Sequence, residues 1–332
     1  MLPSPPVDDR AIYDAFTSRF IFPTLAISVE IGLYELLHRE PLRLPEVADE
    51  LGLDHRAAEA VVAVVAALGF LESGTDGRFS LTPVAQTYLL AESPFFRREL
   101  VHFETSTTES LRLAMRAHQE PVDPLAVNIG ELPAERVRDF IELMHSMTLA
   151  AATGLAEHPV FSGIERLLDV AGGSGSLCLG IAGRHPQLHC TILDLPPVCP
   201  IAKGHIDQYD LADRIDVVAA NMFQDPWPAG FDGLLFGNIF HDWDMESCRF
   251  LARRAFETLQ PGGTICLHEM LLDDLKDGPL TVACFSIAML LHEKGKQFTA
   301  GELEDLLGET GFRDFQVTPS YGYYSLVTAT RS

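Results

Sequence analysis

The sequence predicts an α/β protein, with a doubly wound, mostly parallel sheet in the carboxyl-terminal half and an all-helical, winged-helix-like region before it. Three observations carry this prediction. In Leu167-Leu168-Asp169-Val170-Ala171-Gly172-Gly173-Ser174-Gly175-Ser176 an apolar run reaches an acid and breaks into glycine and serine, and an apolar helical pattern follows over 177–182. That order reads as strand, tight turn and helix. A second short apolar run, Cys190-Thr191-Ile192-Leu193, ends in Asp194; a carboxylate about 20 residues past the glycines, at a strand's end, suits a ribose diol. Beyond residue 165, strand-like and helix-like segments alternate, as βαβ units do.

The amino-terminal elements follow in order. Residues 9–37 form an apolar-rich helical stretch interrupted near Pro23, and Asp54 is placed to cap a helix over 57–68. Gly69-Phe70-Leu71-Glu72 and Gly77-Arg78-Phe79-Ser80-Leu81 flank the turn around Gly74-Thr75-Asp76-Gly77, which signals a hairpin. Helix, turn, helix and hairpin make the winged-helix plan. A DNA-reading helix would be basic, yet 57–68 is nearly all apolar with one acid, Glu59. That helix must be buried, either in its own core or against a partner chain, and dimerisation rather than DNA binding is the expected use of the region. The pattern stays helical over 85–160, with loops at Pro94 and around Glu120-Pro121-Val122-Asp123-Pro124. These helices are expected to link the two domains and cover the active site.

In the second half, strands are expected at 166–170, 190–194, 215–219, 233–236, 264–267, 315–318 and 325–329, with a helix at 302–310 before the last two. The closing pair suggests an antiparallel hairpin finishing a seven-stranded sheet. The expected domains are 1–105, a winged-helix dimerisation domain; 106–160, a helical linker; and 161–332, a Rossmann-like sheet domain.

A length of 332 residues, 47 % of them hydrophobic, supplies core for about two domains. The net charge of −23 repels nucleic-acid phosphates and anionic membranes, so neither is an expected partner. The first residues, Met1-Leu2-Pro3-Ser4-Pro5-Pro6-Val7-Asp8-Asp9, lack the basic start and apolar core of a signal peptide. The six cysteines are scattered, without zinc-type pairs or a disulfide pattern; they read as reduced core residues of a cytoplasmic protein.

The spelling of the glycine turn selects among nucleotide cofactors. A dinucleotide site wants G-x-G-x-x-G, and here Cys178 stands where the third glycine would fall. Asp169, just before the turn, would repel a phosphate but can orient a sulfonium or an amino group. A glycine turn between two acids therefore fits a cofactor with positive charge and no phosphate, which describes S-adenosylmethionine. A nicotinamide-dependent oxidoreductase and a ligand-sensing transcriptional regulator are the competing classes, opposed by the glycine spelling and by the acidic charge.

In Asp169-Val170-Ala171-Gly172-Gly173-Ser174-Gly175, Asp194-Leu195-Pro196, Asn221-Met222-Phe223, His241-Asp242-Trp243, Leu259-Gln260-Pro261-Gly262-Gly263 and Gly295-Lys296-Gln297-Phe298-Thr299, the chain resembles a known family. This is the small-molecule O-methyltransferase group of class I S-adenosylmethionine-dependent methyltransferases, with an amino-terminal dimerisation domain. The resemblance implies a homodimer acting on a small metabolite. It implies that Asp169, Gly172, Gly173 and Gly175 approach the methionine part of the cofactor and that Asp194, with Leu195 beside it, holds the ribose. Met222 and Phe223 would sandwich the adenine, Asn221 takes a place more often held by aspartate, and Asn238 joins the cofactor set. His241 would be the general base and Glu269 a flanking acid. Two further positions depart from the family: Gln297 replaces a flanking glutamate, and Gly237 replaces a lysine that touches the cofactor.

His292, at the tail of an apolar helical run, adds a further expectation. A related branch, the 2-oxo acid C-methyltransferases, resembles an arrangement in which His241, Asp242 and His292 ligate a transition metal such as iron, zinc, cobalt or nickel. A chelated 2-oxo acid would then be methylated at C3 through its enolate, giving the precursor of a β-methyl amino acid. With His292 and Gln297 the sequence leans toward that chemistry, the alternative being metal-free O-methylation of a phenolic or enolic hydroxyl by His241. Asp242 has a plainer reading too, as a cap for the helix that starts near Met245. Arg112, Arg116 and Lys296 are candidates for a substrate carboxylate, and His185, His189 and His205 are given no role.

Overall fold

The computed structural model describes residues 2, 5–93, 96, 106–115 and 126–332, so the expected loops at Pro94 and 120–124, and Arg116, lie outside the described residues. The chain divides into two units: a helical one of residues 11–127 and 271–300, and a sheet unit of residues 1–10, 128–270 and 301–332. The division differs from the expected boundaries, because the helix over 134–155 packs with the sheet domain and residues 271–300 return to the helical unit.

The helical unit begins with α1 (Arg10–Thr17), α2 (Ile21–Glu30) and α3 (Leu33–Arg39). The expected break near Pro23 is present as a short 3-10 turn, Ser18–Phe20, between α1 and α2, and a second break follows at Gly32, whose φ of +77° favours glycine. Pro23 lies in the first turn of α2, where an N–H has no intrahelical partner to lose. β1 (Leu42–Arg43), α4 (Leu44–Leu51), α5 (His55–Ala67), β2 (Leu71–Ser73), β3 (Arg78–Leu81) and α6 (Pro83–Tyr88) follow, then α7 (Ser106–Ala114). The strands pair antiparallel in the order β1-β3-β2. Asp54 caps α5 as expected, accepting the Arg56 N–H at 2.9 Å.

The sheet unit contributes α8 (Ala134–Leu155), β4 (Arg166–Val170), α9 (Ser176–Arg184), β5 (His189–Asp194), α10 (Cys199–Gln208), β6 (Ile215–Ala219), β7 (Phe231–Gly237), α11 (Met245–Thr258) and β8 (Leu259–Met270). After α12 (Leu280–His292), which belongs to the helical unit, come α13 (Ala300–Thr310), β9 (Phe312–Tyr321) and β10 (Tyr324–Arg331). The seven strands run β6-β5-β4-β7-β8-β10-β9, with β10 antiparallel to both neighbours and the other pairings parallel. The expected closing hairpin is therefore present. β4, β5 and β7 are buried over most of their length and read as continuous apolar runs, as strands covered on both faces do. β4 sits where the strand order reverses, so the carboxyl ends of β4 and β5 open a crevice that in such sheets receives the ligand.

Within the helical unit, α5 packs on α12, and Ala57, Ala58 and every residue from Ala60 to Ala66 are buried. Its apolar surface is consumed inside its own unit and does not wait for a second chain. Arg56 at its start donates to the carbonyls of Glu293 and Gly295, both at 2.8 Å, tying α5 to the chain just after α12. All six cysteines are free and buried, and among the described residues no single helix is long and apolar enough to cross a membrane.

α8 lies against α9 so closely that a Cβ on Gly180 would meet the carbonyl oxygen of Ala152 at 2.5 Å. Backbone cannot step aside as a flexible side chain would. Gly180→Ala is therefore expected to destabilise the protein by about 1–3 kcal/mol, read as a lower urea midpoint with an unchanged slope. An unchanged midpoint would show that this approach is looser.

Candidate active site

The glycine turn between β4 and α9 is shaped by left-handed backbone at Ala171 (φ 56°), Gly173 (φ 58°) and Gly175 (φ 78°). At Gly172 an added Cβ would stand 2.6 Å from Oδ2 of Asp169, so the turn can pass over that carboxylate only without a side chain. Asp169 is buried; its Oδ2 accepts from the Cys178 thiol at 3.2 Å, while its Oδ1 has no hydrogen-bond partner. Burial pushes its pKa up to about 7, with the nearby Asp194 adding to the rise against the Cys178 bond. An unpartnered buried carboxylate oxygen beside a glycine turn is a site waiting for a donor, and a cationic one would hold it ionised.

Asp194 ends β5 and closes the other side of the turn. Its Oδ2 accepts the Gly173 N–H at 2.7 Å and its Oδ1 the Leu195 N–H at 2.6 Å. Burial lifts its pKa to about 6 against the pull of these two bonds. Each oxygen keeps a further lone pair, enough to accept from two vicinal hydroxyls. The residues thus fit an adenosyl sulfonium: acids stand at both ends and, among the described residues, no basic side chain bonds to either of them.

Asn221 builds the next loop. Its side-chain oxygen accepts the Phe223 N–H at 2.9 Å, a turn that aspartate or asparagine makes equally well, so the substitution preserves the local shape. Trp227 and Arg254 both donate to the Met222 carbonyl at 2.9 Å. Phe223 meets Trp243 edge-on, with ring centroids 4.6 Å apart, which joins this loop to the His-Asp-Trp turn. Asn238 takes a left-handed φ of 56° and donates to the Tyr324 hydroxyl at 3.3 Å. At Gly237, where the resemblance leads one to expect a lysine, the space a Cβ would need is filled by Leu177.

The His-Asp-Trp turn is built around Glu269, at the end of β8. One oxygen of this buried carboxylate accepts the N–H groups of Ile239 (3.1 Å) and Phe240 (3.0 Å), and the other stands 2.6 Å from Nδ1 of His241. Nε2 of His241 lies 3.3 Å from Oδ1 of Asp242. Burial lowers the proton affinity of the imidazole, but the Glu269 and Asp242 carboxylates outweigh it and hold His241 well above the ordinary histidine range. Asp242 is pushed up by its own burial, which the facing His241 opposes. The helix cap belongs to Asp244, which accepts the Ser247 N–H at 2.8 Å; Asp242 is left to face the imidazole.

The metal triad read from the sequence draws on both units. His241 and Asp242 stand side by side in the sheet unit, whereas His292 ends α12 in the helical unit, half-buried. Within either unit, among the described residues, no three His, Cys, Asp or Glu side chains gather as a metal-binding group. Gln297 is buried in the helical unit with its Oε1 unpartnered. Two candidates for a substrate carboxylate are engaged elsewhere: Arg112 with Glu30 at 2.8 Å, and Lys296 with Glu59 at 2.7 Å.

Comparison with known proteins bears on the whole chain. Residues 129–313 match the O-methyltransferase domain and residues 15–91 the O-methyltransferase dimerisation domain. The chain belongs to the O-methyltransferase family. This O-methyltransferase-family chain is 34 % identical over 306 residues to the 3-hydroxy-5-methyl-1-naphthoate 3-O-methyltransferase of Streptomyces sahachiroi, covering 90 % of its own length and 88 % of that protein's. It is 30 % identical to the L-tyrosine C(3)-methyltransferase of Streptomyces lavendulae, over 88 % of its own length and 83 % of the relative's. Among solved structures it resembles the O-methyltransferase family 2 protein of Planctomyces limnophilus in complex with apigenin, at 26 % identity and a TM-score of 0.90, covering 100 % of this chain and 98 % of that one. The family-2 fold and the sequence relatives make this chain an S-adenosylmethionine-dependent methyltransferase of small molecules.

His145 stands beside the glycine turn, with Nδ1 2.8 Å from the Ser174 hydroxyl and the ring of His205 stacked on its own. A lone histidine in the long helix over 134–155 has no neighbour in sequence that marks it.

Proposed function

We propose that this enzyme methylates an aromatic or enolic hydroxyl of a small metabolite, with His241 as general base and Glu269 orienting and strengthening it. The 2.6 Å contact between Nδ1 of His241 and Glu269 carries this reading. When bound, S-adenosylmethionine supplies an electrophilic methyl group on a sulfonium. Asp169, with its unpartnered Oδ1, would attract the positive end of that cofactor; Asp194 would hold the ribose hydroxyls, and Met222 and Phe223 would flank the adenine.

Glu269 fixes Nδ1 as a donor nitrogen, so Nε2, 3.3 Å from Oδ1 of Asp242, is the nitrogen that would take the acceptor's proton once it has shed its own. A phenol has a pKa of about 10, and a histidine lifted above its usual value of about 6.5 is better matched to it. Two backbone N–H groups hold Glu269 in turn, so the imidazole plane is set before the acceptor arrives. The 34 % identical naphthoate 3-O-methyltransferase supports an aromatic hydroxyl as the acceptor class.

One observation favours the C-methylating alternative. Nε2 of His241 and Oδ1 of Asp242, 3.3 Å apart, present two metal donors side by side, with Glu269 as the carboxylate behind the imidazole. A metal bound by this pair would supply Lewis acidity toward a chelating 2-oxo acid; the tyrosine C-methyltransferase relative shows that carbon acceptors occur among its similar proteins. The two readings separate in an assay of S-adenosylhomocysteine release after exhaustive chelation. Release with hydroxynaphthoates or phenols, undiminished by the chelator, is the expected result. Release only with 2-oxo acids, and only after a transition metal is restored, would replace it with the metal reading.

A further inference from the structure

The glycine turn is gripped from outside as well as from β5. On α8, His145 places Nδ1 2.8 Å from the Ser174 hydroxyl, and Thr148, one turn on, places its hydroxyl 2.6 Å from that of Ser176. Positions three apart share a helix face, and Ala152, which meets Gly180, continues it. Ser174 sits between Gly173 and Gly175, both in the left-handed region, and is itself buried. Bonds from backbone N–H groups hold part of this turn: Ala171 to the Leu193 carbonyl at 2.7 Å, Gly173 to the Asp194 carboxylate, and Gly175 to the Gly172 carbonyl at 2.8 Å. The Ser174 side chain depends on His145.

The ring of His145 is buttressed in its turn. His205 of α10 stacks on it, with ring centroids 3.9 Å apart and planes 10° from parallel, and Nε2 of His205 lies 3.3 Å from Glu142, one turn before His145 on α8. A buried imidazole held flat between a neighbouring helix and the cofactor turn is more than core filling, which an apolar side chain would do without a desolvation cost.

We infer that His145 is a positioning residue for the cofactor: through the Ser174 hydroxyl it fixes the glycine turn in the shape that receives S-adenosylmethionine. The groups that bear on its protonation are His205 from α10 and Glu142 from its own helix, and the turn faces it with the Ser174 hydroxyl. Burial, and next His205, lower the proton affinity of His145, against Glu142. The imidazole is thus neutral at neutral pH and can exchange donor and acceptor roles with the serine.

Two substitutions separate the hydrogen bond from the packing. His145→Phe keeps a flat ring on His205 but removes the nitrogen, whereas His145→Asn gives up the ring and places an amide atom near the position of Nδ1. In calorimetric titration with S-adenosylhomocysteine, His145→Phe is expected to raise Kd about tenfold and His145→Asn no more than about threefold. The KM for the acceptor should be unchanged in both. Equal weakening in the two variants, or wild-type affinity in His145→Phe, would overturn the inference. Should His145→Phe not fold, Ser174→Ala removes the same bond from the other side and carries the same expectation, and unaltered affinity there would also overturn it. A wild-type protein that gives no heat with S-adenosylhomocysteine would instead contradict the cofactor site itself, a separate failure.

Discussion

Replacing His241 with asparagine is expected to lower kcat by about 10²- to 10⁴-fold, the span of a lost general base, while the Kd for S-adenosylhomocysteine stays near the wild-type value. Asparagine places an amide near the position of Nδ1 and can still donate to Glu269, so the change removes Nε2 while keeping the contact that holds the turn over 239–242. Asp169 and Asp194, the groups proposed to hold the cofactor, lie in a different turn and keep their own partners. Single-turnover kinetics beside calorimetry would measure both quantities. A loss of less than about tenfold would mean that the acceptor sheds its proton to another group or arrives ionised, since a positioned base contributes at least about a hundredfold.

The second large effect belongs to Glu269. If His241 must be unprotonated to act, kcat/KM rises as pH passes upward through the pKa of His241 in the free enzyme. Burial lowers that pKa, and the Glu269 and Asp242 charges raise it above the ordinary range. Glu269→Gln removes one of the two raising charges, so the acid limb of the profile should move to lower pH. The plateau should fall as well, by about a hundredfold, because the amide no longer fixes the imidazole; this is short of the roughly 10⁴-fold lost when the buried acid of a serine-protease triad becomes an amide. A limb that stays in place, or moves to higher pH, would show that the titrating group is not His241.

The fold was largely legible because its signals are local. An apolar strand, a run of glycines with φ above zero and an apolar helix need only about twenty residues to declare themselves, and β4, β5 and the turn over 171–175 stand where the sequence put them. The break near Pro23 falls at Ser18–Phe20, just ahead of a proline that the first turn of α2 accepts without cost, and a second break at Gly32 was not expected. The tightly apolar 57–68 segment was rightly expected to be buried, yet its partner, α12, lies more than two hundred residues downstream. No local pattern connects the two.

The site shows the same limit. His241, Asp242 and Glu269 were named in the sequence, but their division of labour depends on which carboxylate reaches which nitrogen. Asp244 relieves Asp242 of capping, a choice between two acids two residues apart that only the geometry resolves. The lean toward a metal rested on His292, whose position along the chain says nothing about how near it lies to His241. Gly237 looked like a loss, and the structure shows Leu177 occupying that space.

The chemistry comes down to the atom that receives the methyl group. With S-adenosylmethionine carrying a carbon-13 methyl, chelator-treated protein and a hydroxynaphthoate acceptor, the product's labelled resonance should fall in the range of an O-methyl ether. A label found only on carbon, and only once a transition metal has been returned, would contradict a hydroxyl acceptor deprotonated by His241 and Glu269.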